Sequence, residues 1–380
     1  MIGLYLHVPY CTVRCSYCDF YLVPVRGHDL SAYARAMVAE IASVGAAVTE
    51  REGPLRADTL HLGGGTPSLL PAEDLEAILA AARAAFRVVE GAELALEANP
   101  EDLTPALAAA WRRAGINRLT VGVQSLQDRL LRLLRRPHDA ARAMEAIEVA
   151  RKAGFTSLGA DLILGLPGEE AEEVIAGIDR LAAAGVDHLS LYLLEVHERT
   201  RLARGLALGR VVLPASDAVA DRYDRAADRL EGHGFEHYEI SNFARPGHRS
   251  RHNMKYWTDR EYIGFGPAAH SYRAGERTAN AADLAAYLAC GGLGFPRIAE
   301  PPSRRGRGLE ALFAGLRLLE GVDLGTLRKR YGDAIPRAGD PGVIDLERAG
   351  FLITDGERLS LTRRGRLVSN EVLERLMPLS

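Results

Sequence analysis

The sequence predicts an α/β protein: a partial (β/α)6 barrel followed by a C-terminal winged-helix-like α+β module. Two patterns carry that expectation. Short β-rich runs recur through the first half, each followed by a longer Ala/Leu/Glu/Arg segment of helical period, as in successive βα units. Beyond a Pro-, Arg- and Gly-rich stretch, helical patterns give way to two alternating runs around Asp355-Gly356, the order of a helical module closed by a hairpin.

In chain order, strands are expected at residues 4–7, 59–62, 93–97, 118–123, 158–164 and 188–194, with helices between them around 30–48, 71–86, 104–114, 139–153 and 169–184. Six such repeats within about two hundred residues imply a parallel sheet curled toward a barrel, with fewer strands than the eight of a closed one. The alternation then stops. A long helix is expected near 215–233, then a β-like segment FEHYEI, then a loop-like ARPGHRSRHNMKYW. These shifts divide the chain into a barrel at 1–200, an extension at 201–298, a linker at 299–308 and the C-terminal module at 309–380.

Composition is that of a folded globular chain, 47% hydrophobic and 26% charged, with a formal net charge of -3 that favours neither nucleic acid nor an anionic membrane surface. Winged-helix-like modules often read DNA, yet residues 303–380 hold 14 Lys and Arg against 11 Asp and Glu, which favours an interaction or lid role. The apolar runs are short of a membrane span, and the N-terminal MIGLY lacks the basic and apolar regions of a signal peptide, so a cytoplasmic protein is expected.

Of four cysteines, Cys11, Cys15 and Cys18 crowd into PYCTVRCSYCDFY, and Cys290 stands alone in LACGGLGF as a buried structural thiol. Such crowding is no disulfide framework. Three explanations compete for the cluster. Structural zinc wants four ligands, and no second C-x-x-C knuckle follows. A redox pair of Cys15 and Cys18 leaves Cys11 over. An iron-sulfur cube that only carries electrons takes four thiolates, so three leave one iron open.

C-x-x-x-C-x-x-C directly after a first strand resembles the radical S-adenosylmethionine (radical SAM) superfamily. The resemblance implies a 4Fe-4S cluster on Cys11, Cys15 and Cys18, with S-adenosylmethionine chelated at the open iron and cleaved by one electron to a 5'-deoxyadenosyl radical. Polar and glycine-rich features at the ends of successive strands agree with it, because that rim is where a βα barrel builds its site. LHLGGGTPS ends the second strand, LEANP the third, GVQS the fourth and GADLILGLPGE the fifth. Singly, each fits a tight turn or a solvated cap; together on one rim they fit a ligand site.

Jointly the motifs resemble the oxygen-independent coproporphyrinogen III oxidase group, from Leu4 to about Tyr272, with the C-terminal module also fitting. Carried over by that resemblance, Tyr5 would meet the methionine carboxylate, and Gly64, Gly65 and Thr66 would line the ligand. Glu97, Gln124, Arg136 and Asp161 would contact its nucleoside and methionyl parts. Within the group there is a fork. The decarboxylating members keep a further cysteine two residues after the third, and here that position is Phe20, which can neither donate a proton nor react as a thiolate. RHNMKYW resembles the H-N-x-x-Y-W signature of the sister branch, the heme chaperones called HemW. It would supply His252 to heme iron, Asn253 to orient it, and the flat faces of Tyr256 and Trp257 to the macrocycle.

Two features thus select the same branch. It implies a chaperone rather than a catalyst, passing heme to an acceptor protein, with the cluster and S-adenosylmethionine regulating dimerisation, as a homodimer, or transfer. Two alternatives are anaerobic oxidative decarboxylation of coproporphyrinogen III, and radical chemistry on RNA, which would call for a strongly basic appended domain that the charge count lacks.

Overall fold

The structure is a computed structural model describing residues 1–300 and 304–376. Six parallel strands form its centre: β1 (Ile2–Val8), β2 (Arg56–Gly64), β3 (Arg87–Ala98), β4 (Arg118–Gln124), β5 (Ser157–Leu164) and β6 (His188–Leu193), paired in that order. Helices α1 (Leu30–Glu52), α2 (Ala72–Ala85), α3 (Pro105–Ala114), α4 (Asp128–Leu134), α5 (Ala140–Ala153) and α6 (Ala171–Ala183) connect them. Every expected barrel strand and helix is present.

The strand period of two sorts side chains between two different environments. One set, including Leu4, Leu6, Leu60, Leu62, Leu94, Leu96, Leu119, Val121, Leu158, Ala160, Leu189 and Leu191, is buried in one large apolar core with the helices. The alternate set is largely polar: Tyr5 and His7, Thr59 and His61, Glu93 and Glu97, Arg118 and Thr120, Asp161, then His188, Ser190 and Tyr192. These meet one another between neighbouring strands, as the contacts Arg118–Glu93 and His61–Glu97 show. The interior is therefore a hydrogen-bonded interior rather than the apolar fill of a closed barrel.

The extension joins the same sheet, so residue 200 is no structural boundary. On one side β7 (Glu236–Glu239) and β8 (Asn242–Ala244) add antiparallel strands beyond β6. On the other, β9 (Tyr262–Phe265) pairs parallel with β1, and β10 (His270–Arg273), β11 (Glu276–Asn280) and β12 (Arg297–Glu300) follow antiparallel, completing twelve strands. Buried Glu40 of α1 ties them down, accepting hydrogen bonds from Gly266 N at 2.8 Å, Asn280 Nδ2 at 2.9 Å and the Tyr287 hydroxyl at 2.8 Å.

Two expectations are corrected here. RHNMKYW is not a loop but the helix Arg251–Trp257, capped by Ser250, whose side chain accepts from Asn253 N. Glu93 on β3 accepts from the backbone N–H groups of Arg251 at 3.1 Å and His252 at 2.9 Å, a tertiary cap that local sequence does not display. The linker expected at 299–308 is mostly structured: β12 runs to Glu300 and a helix starts at Arg304, and residues 301–303 lie outside the described residues. The C-terminal module follows the expected order, with helices Arg304–Leu316, Leu324–Tyr331 and Pro341–Arg348, the hairpin Leu352–Asp355 with Arg358–Leu361, and its own apolar core. No helix among the described residues is long and apolar enough to cross a membrane.

Candidate functional site

A cavity of about 470 Å³ opens at the C-terminal ends of the barrel strands, and Cys11, Cys15 and Cys18 all line it. Their loop is fastened from three sides. Val23 N donates to Pro9 O at 2.7 Å and Val25 N to Cys11 O at 2.9 Å, closing the loop on itself. Ser16 donates through N and Oγ to the last carbonyls of α4, at Leu134 (3.0 Å) and Leu133 (2.9 Å). Leu202 N donates to Ser16 O at 2.8 Å. The thiols are half-buried, and burial pushes Cys11 up to about 11. Among the described residues no three Cys, His or acidic side chains converge as they would on a single ion; a cube spreads its thiolates over three separate irons.

Glycines let the turn after β2 press against this loop. Gly65 N donates to Val8 O at 2.7 Å, and a Cβ on Gly65 would come within 2.6 Å of Tyr10 O. Gly64 has φ of 109°, a left-handed conformation that favours glycine, and its Cβ would strike the His7 ring. Thr66 Oγ1 stands 3.2 Å from Cys11 Sγ.

Glu97, Gln124, Arg136 and Asp161 line the same cavity. Gln124 ends β4 at φ of 65°, a strained backbone for a non-glycine residue and a frequent mark of functional sites. Arg136 reaches in from just past α4, its guanidinium donating to Asn99 Oδ1 at 2.6 Å, Gly122 O at 3.0 Å and Cys15 Sγ at 3.5 Å. Its Nε is buried without a partner, as is Asp161 Oδ1. Burial lifts the Asp161 carboxyl to about 7. A zwitterionic nucleoside ligand with hydroxyls and an ammonium group supplies the partners these atoms lack, so the residues present fit S-adenosylmethionine beside a cluster.

Asn99 escaped the sequence reading although it stands in LEANP two residues after Glu97. It holds Arg136 through Oδ1 and donates through Nδ2 to Thr66 Oγ1 at 3.3 Å, bridging two strand ends. His61, in LHLGGG, was also missed: its Nε2 lies 2.9 Å from Glu97 Oε1. Tyr192 and His197 add an aromatic face and an imidazole to the lining, without a motif that could have flagged them.

The remaining expected residues lie elsewhere. Tyr5 is not among the residues that line the cavity. It pairs in register with His61, below the glycine turn, with its ring stacked on that imidazole and its hydroxyl 2.9 Å from His7 Nδ1. Of the residues expected around heme, His252 is buried and Asn253, Tyr256 and Trp257 are partly buried. His252 is fully enclosed; its Nδ1 is 2.8 Å from Thr59 Oγ1 and its Nε2 is 2.9 Å from the Tyr256 hydroxyl, so neither nitrogen is free for iron. Burial drives its proton affinity well down and keeps the ring neutral. Asn253 contributes its backbone N–H to the Ser250 cap, and Trp257 lies under the Arg317 guanidinium, 4.5 Å from ring centre to carbon. This helix plugs the N-terminal end of the barrel, opposite the cavity. Cys290 is half-buried, its thiol donating to Tyr287 O.

A three-cysteine loop after the first strand of a partial barrel, facing a glycine turn after the second, defines a radical SAM protein. The Radical SAM superfamily model matches residues 5–181, and the HemN C-terminal domain model matches 303–368. The chain is 37% identical to heme chaperone HemW of Mycobacterium tuberculosis (strain H37Rv) over 99% of this chain and 94% of that protein. It is 32% identical to heme chaperone HemW of Bacillus subtilis over 98% of each. The chain belongs to the HemW family. Coproporphyrinogen III oxidase (HemN) from Escherichia coli has the same fold, with a TM-score of 0.82 over 99% of this chain and 90% of that one, at 22% identity. The superfamily implies a 4Fe-4S cluster and S-adenosylmethionine, and Cys11, Cys15 and Cys18 would hold the cluster.

Proposed function

We propose that the protein is a cytoplasmic heme chaperone that binds heme and hands it to an acceptor protein. The observation that carries this is the full-length likeness to proteins named heme chaperones, at 37% and 32% identity. The likeness to the coproporphyrinogen oxidase concerns the fold alone. Phe20 supports the choice locally: it lines the cavity with 66% of its surface exposed, at the position where the decarboxylating relatives resemble one another in keeping a thiol. It offers an apolar face and no proton.

In this proposal Cys11, Cys15 and Cys18 hold the cluster, and Gly64, Gly65, Thr66, Glu97, Gln124, Arg136 and Asp161 surround S-adenosylmethionine. Cluster and S-adenosylmethionine control dimerisation or release rather than turnover. His252 is the proposed heme ligand in an opened state, reached when the plug helix leaves the barrel and the bond from Thr59 to Nδ1 breaks, while the bond to Tyr256 lies within the helix itself. The test is a hemin titration of anaerobically reconstituted protein. A saturable Soret shift at about one heme per chain, weakened by His252→Ala, is expected; the absence of saturable binding overturns the proposal.

A further inference from the structure

Glu97 faces the cavity with its side chain 42% exposed. Behind it stands His61, only 13% exposed, with Nε2 at 2.9 Å from Glu97 Oε1. That hydrogen bond needs the proton on Nε2, and His61 Nδ1 is left buried without a partner. Among the described residues its one polar contact is the carboxylate at the cavity wall.

The ring itself cannot turn away. The His252 imidazole stacks on it with centroids 5.1 Å apart and planes 16° apart, and Tyr5 stacks at 6.0 Å. His252 is in turn fixed at both nitrogens by Thr59 and Tyr256. Two glycines make room for this column. A Cβ on Gly63 would lie 3.0 Å from His61 Nε2 and 3.1 Å from both Glu97 carboxylate oxygens, and one on Gly3 would lie 3.1 Å from His252 Cε1. The first glycine of GGG is thus explained by the His61–Glu97 contact, while Gly64 makes room for the His7 ring and Gly65 for the start of the cysteine loop.

We propose that His61 is a positioning residue for S-adenosylmethionine: it fixes the Glu97 carboxylate toward the ligand's hydroxyl or ammonium donors, and the plug-helix histidine holds it in place. The inference rests on the assignment of Glu97 to that ligand. Outer-shell partners of this kind are worth about 10- to 100-fold in affinity.

The experiment measures S-adenosylmethionine affinity by calorimetry on the anaerobically reconstituted full chain, with iron per chain as the check that each variant has kept its cluster. His61→Ala is expected to weaken binding about tenfold. His61→Gln, whose amide nitrogen can take the place of Nε2, should recover most of the loss. Because His61 acts through Glu97, the double variant His61→Ala/Glu97→Ala should bind no more weakly than Glu97→Ala alone. Wild-type affinity in His61→Ala beside a weakened Glu97→Ala overturns the positioning role, and so does a further loss in the double variant. Wild-type affinity in Glu97→Ala overturns instead the assignment beneath it.

Discussion

Asp161 illustrates how a ligand site is bought with stability, because its carboxyl is buried, one oxygen lacks a partner, and burial lifts its proton affinity to about 7. Between about pH 4 and pH 7 the folded protein retains a proton that the unfolded chain has lost, so stability falls as pH rises through that window and levels off above it. Asp161→Asn removes the titration. The cluster-free variant should melt at least about 2 °C above wild type at pH 8, with the gap closing toward pH 4. A gap independent of pH would show that the carboxyl is not the source. At this scale the rim residues were legible, since Glu97, Gln124, Arg136 and Asp161 stand in motifs at strand ends. Tyr5 sits in the barrel layer of His61, with which it pairs in register. His61 was invisible because its partner lies 36 positions away.

The elements that build the site are the cysteine loop and the turn after β2, which touch backbone to backbone at Gly65. A methyl there would lie 2.6 Å from Tyr10 O and 2.8 Å from Val8 O, atoms that cannot move without unfastening the loop. Gly65→Ala should cost about 1–3 kcal/mol of stability and lower the iron retained after reconstitution; full iron content with unchanged stability would contradict the contact. The βα units were readable because helices bury one strand face and leave a period of two on the other. The plug helix Arg251–Trp257 was not, since seven residues flanked by Arg and Pro look like a loop until Glu93 caps their N-terminus from another strand. The edge strands β9 to β12 were missed for a similar reason: their short runs are held by Glu40 on α1 rather than by a pattern of their own.

Across the whole molecule, the C-terminal module docks at the side and the plugged end of the barrel. None of its described residues lines the cavity. Arg317 lies 3.1 Å from Glu239, which is fully buried, and also covers Trp257 of the plug helix. Leu318 bridges Glu239 in β fashion, and Arg363 binds Asp224 and Asp228 on the helix Ser216–Gly232. Arg317→Ala removes the cation from the buried Glu239 carboxylate, which keeps its hydrogen bonds from Ser241 N and Asn242 Nδ2, for a loss of up to about 3 kcal/mol, and calorimetry should then show the module melting before the barrel. A single unshifted transition would argue against this joint. The module's existence and order were legible, whereas its docking depends on one arginine among many. The proposed role of this radical SAM fold is to carry heme instead of decarboxylating a porphyrin precursor. It is tested most directly by giving one anaerobically reconstituted preparation hemin in one arm, and coproporphyrinogen III with S-adenosylmethionine and reductant in the other. About one heme bound per chain and no protoporphyrinogen formed is the predicted result; turnover to protoporphyrinogen with release of 5'-deoxyadenosine, and no saturable heme binding, would contradict it.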